Sequence, residues 1–321
     1  MKTFVLSLLK FFLFAILFYV VFICVGGLIL PDFLRRNLLS GISDTGQTNR
    51  RLAEADTTDM VDILFLGTSR AYRGFDTRIF AKAGYTSFNL GTSNQSPEQS
   101  YYLLQKYVVK LQPKTVIFEV NPDIFSGDGA ESATDIITHS KPDIELLKMT
   151  WAVRNIKAVN GFIFSCLRYI FFVGKQDKVD SENVSNPYVP GGYIATKDSM
   201  YNEDKGNAYY CELNDDQLAA FDKIVKFLHT KEIRTLLVQA PVVEKLYNTC
   251  PENEKFDKLM KNKGIYYNFN LSHHYFGSEK LTGTRFDLGT KLTETTYFSD
   301  GQHLNQKGVE IFNEWLLKLL K

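Results

Sequence analysis

This sequence lacks an excess of charge of either sign: 37 Lys and Arg stand against 36 Asp and Glu, a net +1 at pH 7 over 321 residues. A nucleic-acid surface needs clustered positive charge to replace the counterions of the phosphate backbone, so no nucleic-acid partner is expected. Histidine is scarce, five in all. No set of His, Cys, Asp or Glu has the spacing of zinc ligands. The adjacent pair His273 and His274 cannot easily point into one site from regular structure, and His139 and His229 read as surface residues. A glycine-rich phosphate loop is also missing, so neither a metal nor any other cofactor is expected. Four cysteines set no disulfide framework. Cys24 and Cys166 lie in apolar runs, which leaves Cys211 and Cys250 as the pair that an oxidising compartment could join.

Long apolar runs, by contrast, are present. Residues 11–30 are 20 residues without a charge, enough at about 1.5 Å per residue to cross a hydrocarbon core of about 30 Å. The run exceeds a signal-peptide apolar region and no small-x-small cleavage site follows it, so it reads as a transmembrane anchor behind a short cytoplasmic tail, residues 1–10. Lys2 and Lys10 before it are balanced by Arg35 and Arg36 after it, so flanking charge does not orient it. One large domain behind a single N-terminal anchor favours a single-pass arrangement with that domain on the extracytoplasmic side. Residues 31–60 read as a polar juxtamembrane linker with little periodicity. With +3 carried up to Arg36 (Lys2, Lys10, Arg35 and Arg36 against Asp32), the remainder carries −2. Its length, with 45% hydrophobic and 14% aromatic residues over the chain, fits one globular core.

Residues 61–321 alternate strand-like and helix-like segments. The apolar run Ile63-Leu64-Phe65-Leu66 reads as a strand buried on both faces; further strands are expected at 86–90, 114–120, 235–240 and 265–270. Helices are expected at 76–82, 97–111, 213–231, 256–263 and from about 305 to the end. This rhythm belongs to a parallel sheet with right-handed crossovers, an α/β fold. An insertion at 126–211 interrupts it. Residues 144–173, where basic and aromatic residues mix, read either as a helical pair packed on the sheet or as a lid or membrane-interface element. Residues 178–210 read as a loop over the substrate groove.

Two stretches carry chemistry. After the first strand, Gly67-Thr68-Ser69 turns sharply towards a helix and places a hydroxyl at the carboxyl end of the sheet, either as a nucleophile or as a helix cap. Near the end of the chain, Asp300-Gly301-Gln302-His303 sets a carboxylate and an imidazole on one turn, either as the orienting pair of a Ser/His/Asp relay or as a solvated His.

Together these residues resemble the SGNH (GDSL-like) hydrolases, whose pattern is four short blocks. LGTSRA supplies the first with Ser69, FNLGTSNQSP the second, VIFEVNPD the third with Asn121, and SDGQHLNQKG the last with Asp300, His303, Asn305 and Gly308. The resemblance implies a flavodoxin-like three-layer sandwich with a central parallel sheet, and a Ser69-His303-Asp300 triad. Its oxyanion hole would be made by the Ser69 and Asn94 backbone amides and the Asn121 side chain. Asn94 stands where the family has glycine, a place that the left-handed tolerance of Asn would allow; Gly91 is the other register. Glu119 and Pro122 replace the Gly and Asp around the third-block Asn. The resemblance further implies an acyl-ester hydrolase acting on acyl, chiefly acetyl, esters of cell-envelope glycans. The alternatives are an O-acyltransferase modifying an envelope polysaccharide, supplied by a membrane-bound acyl-donor protein, and a catalytically weak glycan-binding or scaffold protein.

Overall fold

The structure, a computed structural model, describes residues 1–31, 33–35, 38, 46–171, 186–196, 211–271 and 292–320. His273, His274 and the stretches 178–185 and 197–210 lie outside the described residues. The described strands are Ile63–Leu66 (β1), Ser87–Asn89 (β2), Thr115–Glu119 (β3), Tyr188–Val189 (β4), Tyr193–Ile194 (β5), Arg234–Gln239 (β6) and Ile265–Asn268 (β7). Five of them form a sheet in the order β2-β1-β3-β6-β7, with every neighbouring pair parallel.

Strand residues alternate between two cores. Ile63, Phe65, Ile117, Leu236 and Val238 face the short helices Ser69–Gly74 and Thr77–Lys82 and the C-terminal helix Gln306–Leu320. Leu64, Leu66, Val116, Phe118 and Leu237 face helices Pro97–Leu111, Asp215–Thr230 and Asn253–Lys263. All four residues of β1 are buried, which explains an unbroken apolar run where a half-exposed strand would alternate. The result is the expected α/β three-layer sandwich. Phe65 stacks on Phe75 with ring centroids 4.7 Å apart, and truncating such a fully buried ring to Ala costs about 3–5 kcal/mol. The helix over 97–111 starts where its signals say: Pro97 takes the first turn and Ser96 forms a capping box with Gln99.

Strand order places the site. β1 has β2 on one side and β3 on the other, so the crossovers leaving β1 and β3 diverge and a crevice opens at their carboxyl ends. Leu66 pairs in register with Phe118, which brings the turn after β1 beside the turn after β3.

Three readings change in detail. The apolar N-terminal helix, long and apolar enough to cross a membrane, runs over Lys2–Ile29, so residues 2–10, expected as a tail, are helical; apolar residues continue on both sides of Lys10. Within the expected linker, Thr48–Ala55 is a helix packed into the domain, with Thr48, Arg51, Leu52 and Ala55 buried. Its polar composition hid this, because the buried Arg51 is met by distant groups: Nε donates to Gly192 O at 2.9 Å, and the guanidinium lies 4.5 Å from the Tyr72 ring. Third, residues 144–173 contain two helices, Ile144–Ala152 and Ile156–Phe171, which pack on Pro97–Leu111 and on Ala130–His139 in the next layer out, not on the sheet itself. Their outer surface leaves Trp151 75% and Phe171 69% exposed. The N-terminal helix meets this pair where Ile23 packs on Phe164.

The described part of the insertion also sits elsewhere than expected. The β4-β5 hairpin turns through Gly191 and Gly192, both at positive φ, and a Cβ on Gly192 would come within 2.3 Å of Asn89 O. Asn89 N donates to Gly191 O, so the hairpin covers the β2 edge and its row of unpaired backbone groups. Cys211 and Cys250 are joined by a disulfide, with Cα atoms 5.8 Å apart.

Candidate active site

Gly67 makes the exit from β1 at φ +134°, and any Cβ there would lie 2.7 Å from Glu119 Cβ. Only glycine lets the chain pass so close to β3. Thr68 then caps helix Ser69–Gly74: its hydroxyl oxygen accepts the Arg70 N–H at 3.2 Å. With Thr68 as the cap, the Ser69 hydroxyl is left for another partner.

That partner is 234 residues away in the chain. Ser69 Oγ lies 2.7 Å from His303 Nε2, and His303 Nδ1 lies 2.7 Å from Asp300 Oδ2. The other carboxylate oxygen, Oδ1, accepts the backbone N–H groups of Gln302 and His303, each at 2.8 Å. The turn that holds the pair is itself braced. Ser299 N donates to His303 O at 2.9 Å, and Asn305 Oδ1 accepts from Gly308 N at 3.1 Å. A Cβ on Gly308 would be 2.4 Å from Tyr297 O. The Asn and Gly trailing the histidine therefore shape the loop that presents it.

Electrostatics follow from these contacts. Burial pushes the His303 imidazole below its usual 6.5, with the Arg73 and Arg70 charges pushing the same way and Asp300 opposing. For Asp300, burial acts upward, but His303 and the two backbone donors outweigh it and hold the carboxyl at about 2. The histidine is thus neutral and the aspartate ionised at pH 7, the protonation states a base and its orienting carboxylate require.

Of the residues considered for an oxyanion hole, Asn94 has the left-handed backbone anticipated for it, φ +47°, and its side chain turns outward to donate to Glu131 Oε2 at 2.7 Å. The Gly91 N–H is occupied by Asn89 Oδ1 at 3.0 Å, which leaves that register without a spare donor. The second-block loop abuts the Ser69 turn, since Thr92 N donates to Gly67 O at 3.2 Å. Asn121 is fully buried beyond β3, and its Nδ2 donates to Glu119 Oε1 at 2.9 Å.

Reading the sequence missed the group beneath the site. Glu119 is fully buried at the end of β3. Its Oε2 accepts from Thr68 N at 3.1 Å and from Thr68 Oγ1 at 2.8 Å, and Arg70 lies 3.8 Å from Oε1. The signal that pointed to it was a carboxylate inside an otherwise apolar strand, which must find partners or be expelled. Among the described residues no group of three His, Cys, Asp or Glu is placed to hold a metal ion.

No protein-family model matches the chain, and no curated protein matches it. Among solved structures it is similar to a candidate acylhydrolase from Bacteroides fragilis NCTC 9343, at 12% identity and TM-score 0.38 over 87% of this chain and 95% of that one. It is also similar to a GDSL-like lipase from Bacteroides thetaiotaomicron VPI-5482, at 13% identity and TM-score 0.38 over 86% and 97%. A candidate platelet activating factor from Streptococcus pneumonia aligns at 13% identity and TM-score 0.42 over 90% and 97%.

Proposed function

We propose that this chain is a serine-dependent acyl-ester hydrolase of SGNH type, working on acetyl or related acyl esters of cell-envelope glycans. The observation that carries the reading is the unbroken hydrogen-bond chain Asp300-His303-Ser69, both links 2.7 Å. Ser69 Oγ attacks the ester carbonyl while His303 Nε2 takes its proton; Asp300 keeps the proton of the neutral imidazole on Nδ1, so that Nε2 is free to accept. The tetrahedral oxyanion is held by the Ser69 and Asn94 amides and the Asn121 side chain. Collapse expels the sugar hydroxyl, protonated by His303, and leaves a serine ester. Water, deprotonated by His303, then releases the acid. If a sugar hydroxyl takes the place of water, the same intermediate makes the chain an O-acyltransferase, with a membrane-bound protein as acyl donor.

Support for an envelope location comes from two further features. The N-terminal helix is long and apolar enough to cross a membrane, and a disulfide joins Cys211 to Cys250, a bond that persists in oxidising compartments. We take the helix as an anchor, with the domain on the extracytoplasmic side. Trp151 and Phe171 are exposed on the helical pair beside it, as aromatic side chains that meet lipid headgroups would be.

The test is to incubate the full chain in detergent micelles with an activated acetyl ester, with and without an acetylated or unacetylated oligosaccharide. Free acetate that disappears with Ser69→Ala supports the hydrolase. Acetyl appearing on the oligosaccharide in place of free acetate supports the transferase. Turnover by Ser69→Ala at the wild-type rate, or a wild-type chain that neither turns over ester nor reacts with a fluorophosphonate, overturns the serine mechanism and leaves a glycan-binding or scaffold role.

A further inference from the structure

A buried carboxylate beside an oxyanion hole is an electrostatic problem. Glu119, wholly shielded from water, lies two residues before Asn121 and directly against the turn that carries Ser69. In low dielectric a lone negative charge there would oppose the negative charge that develops on the substrate oxygen. Its hydrogen-bond neighbours are all groups that can donate to a carboxylate: Thr68 N and Oγ1 to Oε2, Asn121 Nδ2 to Oε1.

Two consequences follow from that pattern. First, a carboxylate only accepts, so it holds the Asn121 amide with nitrogen, not oxygen, towards β3. One hydrogen of Nδ2 serves Glu119 and the second remains available, while Oδ1 is buried with no hydrogen-bond partner. Second, the same carboxylate grips the residue that precedes the nucleophile through both its backbone and its hydroxyl. Arg70, only 5% exposed, supplies the opposite charge 3.8 Å from Oε1. It reaches Asp123 at 4.0 Å, and it donates to Gln302 Oε1 at 3.3 Å, inside the Asp300-His303 turn.

Resting on the serine mechanism above, we propose that Glu119 and Arg70 are positioning residues acting as one unit. Glu119 fixes the Ser69 turn and the Asn121 amide, and Arg70 balances its charge, so that the oxyanion forms beside a neutral pair and not beside a lone carboxylate. Glu119 stands where the resembling family has glycine, so this device is the chain's own and not part of the shared pattern.

The experiment is a double-mutant cycle with Arg70→Met and Glu119→Gln in the full chain. Acylation rate and KM are read with an activated acetyl ester near pH 8.5, where His303 is neutral whether or not Arg70 is present. Arg70→Met alone should slow acylation by about tenfold to a hundredfold with KM nearly unchanged, because it leaves the carboxylate uncompensated. Glu119→Gln should also be slow, since its amide nitrogen faces the Asn121 nitrogen. In that background, however, Arg70→Met should change the rate by less than about twofold, a non-additivity that independent structural damage does not produce. Arg70→Lys, which keeps the charge, should stay within about threefold of wild type. If Arg70→Met is insoluble, Arg70→Gln takes its place in both backgrounds, with the same non-additivity in acylation rate expected. Equal effects of Arg70→Met in both backgrounds, no effect in the wild type, or Arg70→Lys as slow as Arg70→Met, overturns the proposal while an active wild type keeps the serine mechanism. An inert wild type removes both.

Discussion

Asp300→Asn tests the relay at its most constrained point, because the substituted amide cannot satisfy all three of its donors. Oδ2 meets His303 Nδ1 at 2.7 Å, and Oδ1 accepts two backbone N–H groups at 2.8 Å. With its oxygen on the backbone side, Asn keeps two hydrogen bonds and points NH2 at Nδ1. With its oxygen towards the imidazole it keeps one and sets NH2 against two N–H groups. The first orientation wins by about one hydrogen bond, on the order of 1 kcal/mol, before the donor clash is added. It forces the imidazole proton onto Nε2, which then donates to Ser69 Oγ and cannot accept its proton. The expected loss in kcat is about 10⁴-fold, as for the same change in serine-protease triads, or about 5 kcal/mol of transition-state stabilisation. The Asp300 side chain is half exposed, so the folded state should lose little. The assay is kcat/KM on an activated acetyl ester together with the melting temperature. An Asp300→Asn protein that melts like wild type and retains more than a tenth of its rate would refute the relay.

Three further outcomes are expected. Because burial holds His303 below its usual 6.5, and the base works only when neutral, kcat/KM should rise with unit slope through an apparent pKa under 6.5 and be flat above pH 7; a limb above pH 7.5 contradicts the assignment. The sign carries over to stability: both groups have depressed pKa values in the fold. The His303 contribution is therefore complete above 6.5 and fades as pH falls below that, while that of Asp300 holds to about 4 and is lost through about 2. Asn121→Ala should slow acylation by on the order of a hundredfold with KM little changed, whereas a full-speed enzyme with a lowered melting temperature would leave Asn121 only as the start of the Pro122-Asp123 turn. Opening the Cys211-Cys250 bridge with paired Ser substitutions removes a crosslink with a sequence separation of 39, worth about 4 kcal/mol in the chain-entropy account; an unchanged melting temperature under oxidising conditions would show that the bridge does not constrain the unfolded chain.

What could be read from the sequence divides by the range of the interactions involved. β1 and the helix Pro97–Leu111 declare themselves within a few residues, by an apolar run in one case and by Ser96, Pro97 and Gln99 in the other. Asn94 was readable for a similar reason: its left-handed backbone is a local property of Asn in a turn. The approach of Ser69 to His303 is not local, yet it could be anticipated, because the short blocks that carry the two residues resemble those of a known family. Nothing comparable announces the helix Thr48–Ala55. Its buried Arg51 is met by Gly192 O, 141 residues on, and by the Tyr72 ring, so its polar, weakly periodic sequence looked like a tether. Locating the domain's start upstream of that helix also means that a soluble fragment cut near residue 50 would lose Thr48 and its hydrogen bond to Asp135. Glu119 is the sharper case. Taken alone, a carboxylate inside TVIFE weakens the argument for a buried strand; with Thr68 and Arg70 brought in from 51 and 49 residues earlier, it becomes what joins β3 to the Ser69 turn. A buried charge in an apolar strand is therefore better read as a demand for a distant partner than as a flaw in the strand, and the place to seek that partner is the neighbouring strand end, where Gly67 had already left room for it.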